Sequence, residues 1–169
     1  MCSTQSLTPA LNALADEQVD TLSNQDLRTE TADLLVAINR LNAELTRRVQ
    51  EFDRRGLAID DASRSTAGWL RTFGRLSAPA ASACVKRARL SGRLPALTAA
   101  AADGDISSDH LDRVTRLADR VGVEVAARAD QVLADSARHL DPTNLGRVCD
   151  RIVAHVDPDG AQQIGRAHV

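Results

Sequence analysis

Apolar residues recur along much of the chain at helical spacing. Leu27, Leu34, Ile38, Leu41, Leu45, Val49 and Phe52 follow one another at steps of 7, 4, 3, 4, 4 and 3, which predicts one helix of about thirty residues with a narrow apolar seam. Ser23, three residues before Asp26, supplies an N-cap. Arg54 and Arg55 suit the negative end of the helix dipole, and Gly56 suits the left-handed turn that ends it. A seam this long needs a partner. It packs on later helices of the same chain, or it meets a second copy in a coiled coil.

Residues 1–22 carry little pattern beyond a short helix after Pro9 with Leu11 and Leu14. Past a polar loop through Asp60 and Asp61, Ser65 caps a short helix presenting Trp69, Leu70 and Phe73. Trp69 reads as a core anchor rather than a base-stacking platform. Ser77 caps the next helix, with Pro79 in its first turn. Its inner side is Ala81, Cys84, Val85 and Ala88, and Lys86, Arg89 and Arg93 share another face.

Leu94-Pro95 opens an alanine-rich helix that turns at Asp103-Gly104-Asp105. Ile106, Ser107 and Leu111 then form a staple around a cap, as do Leu140, Asp141 and Leu145 around Pro142. The first of these helices faces inward with Leu111, Val114, Leu117, Ala118 and Val121, and carries Arg113, Arg116 and Arg120 outside, partly balanced by Asp112 and Asp119. One further helix uses Val125, Ala129, Val132, Leu133 and Ala137. The last uses Leu145, Val148, Cys149, Ile152 and Val156 and stops at Asp157-Pro158-Asp159-Gly160.

No segment alternates long enough to make a strand. The expected fold is all-α, an irregular multi-helix bundle with one long N-terminal helix and six to eight helices in total. Three regions follow: a flexible segment 1–22, a helical domain 23–160, and a tail 161–169. That tail breaks off after the turn, and Ile164–Val169 are expected not to be natural sequence, the gene continuing beyond them.

Composition sharpens this. Aromatics make up only 2% of 169 residues, so the core is built from Ala, Leu, Val and Ile, which pack closely between helices. Three cysteines without a CxxC pair indicate neither a disulfide framework nor a zinc site. A reduced, cytoplasmic protein is expected, since no leader pattern or membrane span is visible.

Charge is segregated. Residues 62–102 hold seven basic and no acidic residues, while 6 Arg face 11 acidic residues before them and 8 Arg face 12 after. An anionic partner or internal pairing with the acidic flanks explains such asymmetry. Arg71, Arg75, Lys86, Arg87, Arg89 and Arg93 are therefore the candidate nucleic-acid-binding residues. Against that role, the pI is about 6.1 and stacking aromatics are scarce.

Catalytic chemistry is not indicated. The histidines are scattered, no HExxH or phosphate-binding glycine loop occurs, and His110 beside Asp109 reads as a cap rather than a general base.

Three pieces together resemble a known family: the helix ending Arg54-Arg55-Gly56, the run Ser65-Thr66-Ala67-Gly68-Trp69-Leu70, and Leu94-Pro95 leading to Gly104-Asp105-Ile106-Ser107. They are similar to the domain of unknown function 222, the N-terminal helical part of the REP-associated repeat family of HNH endonuclease-like proteins. The resemblance covers roughly residues 20–160, and the turn at Asp157–Gly160 also fits. It implies a nuclease module downstream, with its own histidines and divalent metal; no residue here matches that motif, so no catalytic residue, metal ligand or cofactor is carried over. It implies a non-catalytic domain that positions DNA for the missing nuclease. A protein-interaction or homodimerisation bundle using the Leu27–Phe52 seam is the alternative, and an enzyme built on His110 a distant third.

Overall fold

A computed structural model describes residues 3–156 of the chain. Every regular element among them is helical: α1 (Leu7–Ala15), α2 (Asn24–Arg55), α3 (Thr66–Thr72), α4 (Ala78–Ser91), α5 (Pro95–Asp103), α6 (Ser108–Val121), α7 (Val123–Arg128), α8 (Asp130–Ala137) and α9 (Pro142–Val156), with short 3-10 turns at Ser3–Ser6 and Val19–Thr21. The Asp157–Gly160 turn and the Ile164–Val169 tail lie outside the described residues.

The chain divides into two compact units between Leu35 and Val36. In the first, α1 starts at Leu7, two residues ahead of Pro9, so the proline sits in the first turn, where its missing N–H costs nothing. None of the residues of α1 is buried. Ser23 caps α2 as its sequence implies: its hydroxyl accepts from the Asp26 N–H at 3.2 Å and donates to the Asp26 carboxylate at 2.7 Å.

The second unit has two apolar clusters. The larger draws the fully buried Leu97, Ile106, Val114, Leu117, Leu133 and Leu145 from α5, α6, α8, α9 and the α5–α6 turn. Here α6 lies along α9 and α5 along α8. The smaller joins Val49 of α2 to Leu70 of α3 and to Ala81, Cys84, Val85 and Ala88 of α4. The chain's aromatics gather beside it: Phe52 and Phe73 lie 4.6 and 5.1 Å from Trp69, whose Nε1 donates to Asp61 at 2.6 Å. Trp69 is half-buried and Phe73 exposed.

Caps hold the helix starts. The Ser65 and Ser77 hydroxyls accept from Gly68 and Ala80, and the Asp141 carboxylate accepts from Thr143 and Asn144. Ile106 and Leu111 both pack into the larger cluster. The single helix expected across residues 125–137 is instead two, broken at Ala129. That break turns Val132 outward at 62% exposure and turns Asp130 inward. Val153 takes the inward place expected of Val156, which is 46% exposed.

Candidate nucleic-acid interface

The six candidate residues are arranged on two adjoining helices and the turn between them, but they do not form one free cationic surface. Arg71 lies in the last turn of α3, and Arg75 stands in the turn after it at a φ of 53°. Both are exposed, and among the described residues neither has an ion-pair or hydrogen-bond partner. The other four lie on α4 and just past its end, and each is paired with an acidic side chain.

Lys86 donates to Asp119 at 2.6 Å, Arg87 to Asp112 at 2.7 Å, and Arg93 to Glu124 at 2.5 Å. Arg89 grips Asp53 with two N–H groups, Nε at 2.8 Å and Nη2 at 3.1 Å. Asp53 also accepts from the Thr66 hydroxyl at 2.6 Å. The Arg89 guanidinium beside it, helped by that hydroxyl and opposed by burial, holds the Asp53 carboxyl below its ordinary range. The Arg87 pair is largely sheltered from water, and its Nε is buried with no hydrogen-bond partner. The Lys86 and Arg93 pairs are more than half exposed on both sides, so they are screened and individually weak, whereas Arg89 is exposed but its partner Asp53 is largely sheltered.

These pairings redraw the charge on α6. Asp112 and Asp119 do not balance Arg113, Arg116 and Arg120 as their adjacency implies, because both carboxylates are turned to α4. Arg120 finds Asp150 of α9 instead, at 2.9 Å. Arg113 is half-buried rather than outside.

His110 is a cap, and a buried one at 8% exposure. Its Nδ1 accepts from the Ser107 N–H at 3.1 Å, which leaves Nε2 to donate to the Leu140 carbonyl at 2.8 Å. With both ring nitrogens engaged it ties the start of α6 to the end of the α8–α9 connection. Cys84 and Cys149 are buried thiols; burial pushes both up, Cys149 to about 11, away from nucleophilic use. Among the described residues no group of three or more His, Cys, Asp or Glu is placed to hold a metal ion, and no helix is long and apolar enough to cross a membrane.

Asp130 escaped the sequence reading. Its carboxylate accepts from the backbone N–H groups of Ala96 and Leu97 at 2.7 and 3.1 Å and so caps α5 from another helix. The signal was the uncapped start: Leu94 stands at the N-cap position and offers no acceptor side chain.

The seam of α2 is the other surface of note. In the second unit, α2 meets the bundle with Val36, Asn39, Ala43 and Gln50: the Asn39 amide donates to the Gly104 carbonyl at 3.1 Å, and Ala43 packs on the larger cluster. Those positions are turned well away from the leucine row. Of the row only Val49 and Phe52 are covered; Ile38, Leu41 and Leu45 are 50%, 44% and 45% exposed, as Leu27 and Leu34 of the first unit are at 41% and 43%.

A family model described as a domain of unknown function (DUF222) matches residues 25–168. Neither a curated protein nor a solved structure matches the chain.

Proposed function

We propose that this chain, which belongs to the DUF222 family, is a non-catalytic assembly domain whose copies associate through the leucine row of α2. The single observation that carries this is the orientation of α2. In the second unit α2 turns Val36, Asn39, Ala43 and Gln50 to the bundle and leaves Ile38, Leu41 and Leu45 exposed, and in the first unit Leu27 and Leu34 are exposed as well.

A second copy is the occupant that fits. From Leu27 to Leu45 the row follows alternating three- and four-residue steps, with Thr31 filling the one gap, and Leu34, Ile38 and Leu41 alternate in the way a two-stranded coil prefers. Charge does not oppose it. Glu44 is neutralised within the helix by Arg47 and Arg48, and Glu51 by Arg54 and Arg55. Half-exposed Leu and Ile side chains gain about 1 kcal/mol each on burial, so the five from each of two copies contribute roughly 10 kcal/mol against an association cost of roughly 4–15 kcal/mol. The resulting dimer is weak and concentration-dependent. Its melting temperature should rise with protein concentration, and in an Ile38→Glu, Leu41→Glu variant it should not; a melting temperature independent of concentration in the native sequence refutes the proposal.

The context is that of an HNH endonuclease-like protein, as the resemblance of its motifs implies, with the nuclease and its metal supplied by another module. Positioning DNA is a second reading, favoured by Arg71 and Arg75, the two candidates with unspent charge. Duplex binding across a salt series tests it. Arg71→Ala with Arg75→Ala should lower the slope against log salt by roughly 2, and an unchanged slope removes those residues from any DNA contact.

A further inference from the structure

The arginines of α6 that lost their expected carboxylates line a groove against α9. Arg113, Arg116 and Arg120 rise along one edge, Gly146 and Asp150 along the other, around a cavity of about 180 Å³. One carboxylate serves three guanidiniums, and it is bound to Arg120. Among the described residues Arg113 and Arg116 have no acidic partner, although like charges three and four residues apart on a helix repel.

Gly146 stands inside α9, across the groove from Arg113. Its open side faces the Arg113 side chain, whose Cδ, Nε and Nη1 lie 3.5–3.8 Å from where a Cβ would stand. Those are ordinary van der Waals distances, so the half-buried Arg113 side chain lies alongside α9 at this point.

We propose that this groove binds a phosphate-class oxyanion, held by Arg113 and Arg116, with Arg120 completing the clamp when it lets go of Asp150. The fork of N–H donors on each guanidinium matches a phosphate's oxygens, and a doubly charged anion neutralises the two unpaired cations. The site is separate from the leucine row of α2 and stands or falls without it.

Calorimetric titration of the full chain at low ionic strength tests it, with inorganic phosphate and pyrophosphate as probes and chloride as the matched control. Saturable binding is expected, weakened about tenfold or more in Arg113→Gln with Arg116→Gln. Asp150→Asn releases Arg120 and should tighten binding several-fold, a gain that misfolding cannot imitate. Arg128→Gln, an exposed cation of α7 outside the groove, should leave it unchanged. A short DNA duplex that competes with pyrophosphate makes backbone phosphate the source; a duplex that does not compete makes it a free phosphate, and either result supports the site. Heats that follow ionic strength alone, or that are the same in the double variant or in Asp150→Asn, overturn it.

Discussion

Asp53 of α2 and Arg89 of α4 hold each other through two N–H···O contacts of 2.8 and 3.1 Å. The acidic partner is only 19% exposed and the basic one 66%, so the carboxylate is the costlier group to strand. Asp53→Ala should destabilise the fold by about 2 kcal/mol, because it removes charge-assisted bonds and leaves the buried Thr66 hydroxyl without its acceptor. Its carboxyl is depressed in the folded state, so its contribution is complete above the ordinary value of 3.8 and is lost as pH falls through the lower native value. Chemical denaturation across this acid range should show a shallower pH dependence in Asp53→Asn than in the native sequence.

Asp130 and α5 give a second test. Asp130→Ala leaves the Ala96 and Leu97 N–H groups unsatisfied beside the fully buried Leu97 side chain, and should cost about 2 kcal/mol in a denaturant melt. Asp130→Asn keeps one acceptor oxygen and should cost less.

Two glycines with positive φ should respond unequally to alanine. At Gly56 a Cβ would meet nothing within 4 Å, and the left-handed backbone alone sets a cost of about 1 kcal/mol. At Gly104 the same atom would stand 2.7 Å from Val36 Cγ1 and 3.0 Å from the Val36 carbonyl oxygen. Gly104→Ala should therefore cost about 3 kcal/mol, with a visibly larger drop in melting temperature.

The local grammar of the chain was legible before its packing was. Helix starts at Ser23, Ser65, Ser77 and Asp141 were readable because a cap depends on residues three positions away, and the all-helical class followed from apolar spacing. The break at Ala129 was not readable. Just past it Asp130 caps α5, whose own start offers no acceptor side chain, across a sequence distance no periodicity reports. The segregated charge of the basic middle is plain from the sequence, which leaves internal pairing and DNA contact both open. Which acid answers each base depends on how α4 lies beside α6, and that placement makes Asp112 and Asp119 partners of α4 rather than of their helix neighbours. The leucine row was visible as a seam, but its direction was not. That was decided by Asn39, Ala43 and Gln50, which in the sequence look like ordinary surface positions.

Sedimentation equilibrium of the full chain over a wide concentration range reads self-association through α2 most directly. The weight-average mass should climb from 18.1 kDa toward twice that value, and should remain at the monomer mass in Ile38→Glu with Leu41→Glu at the same concentrations. A native chain that stays at 18.1 kDa throughout, or a double variant that associates as the native chain does, contradicts association through that row.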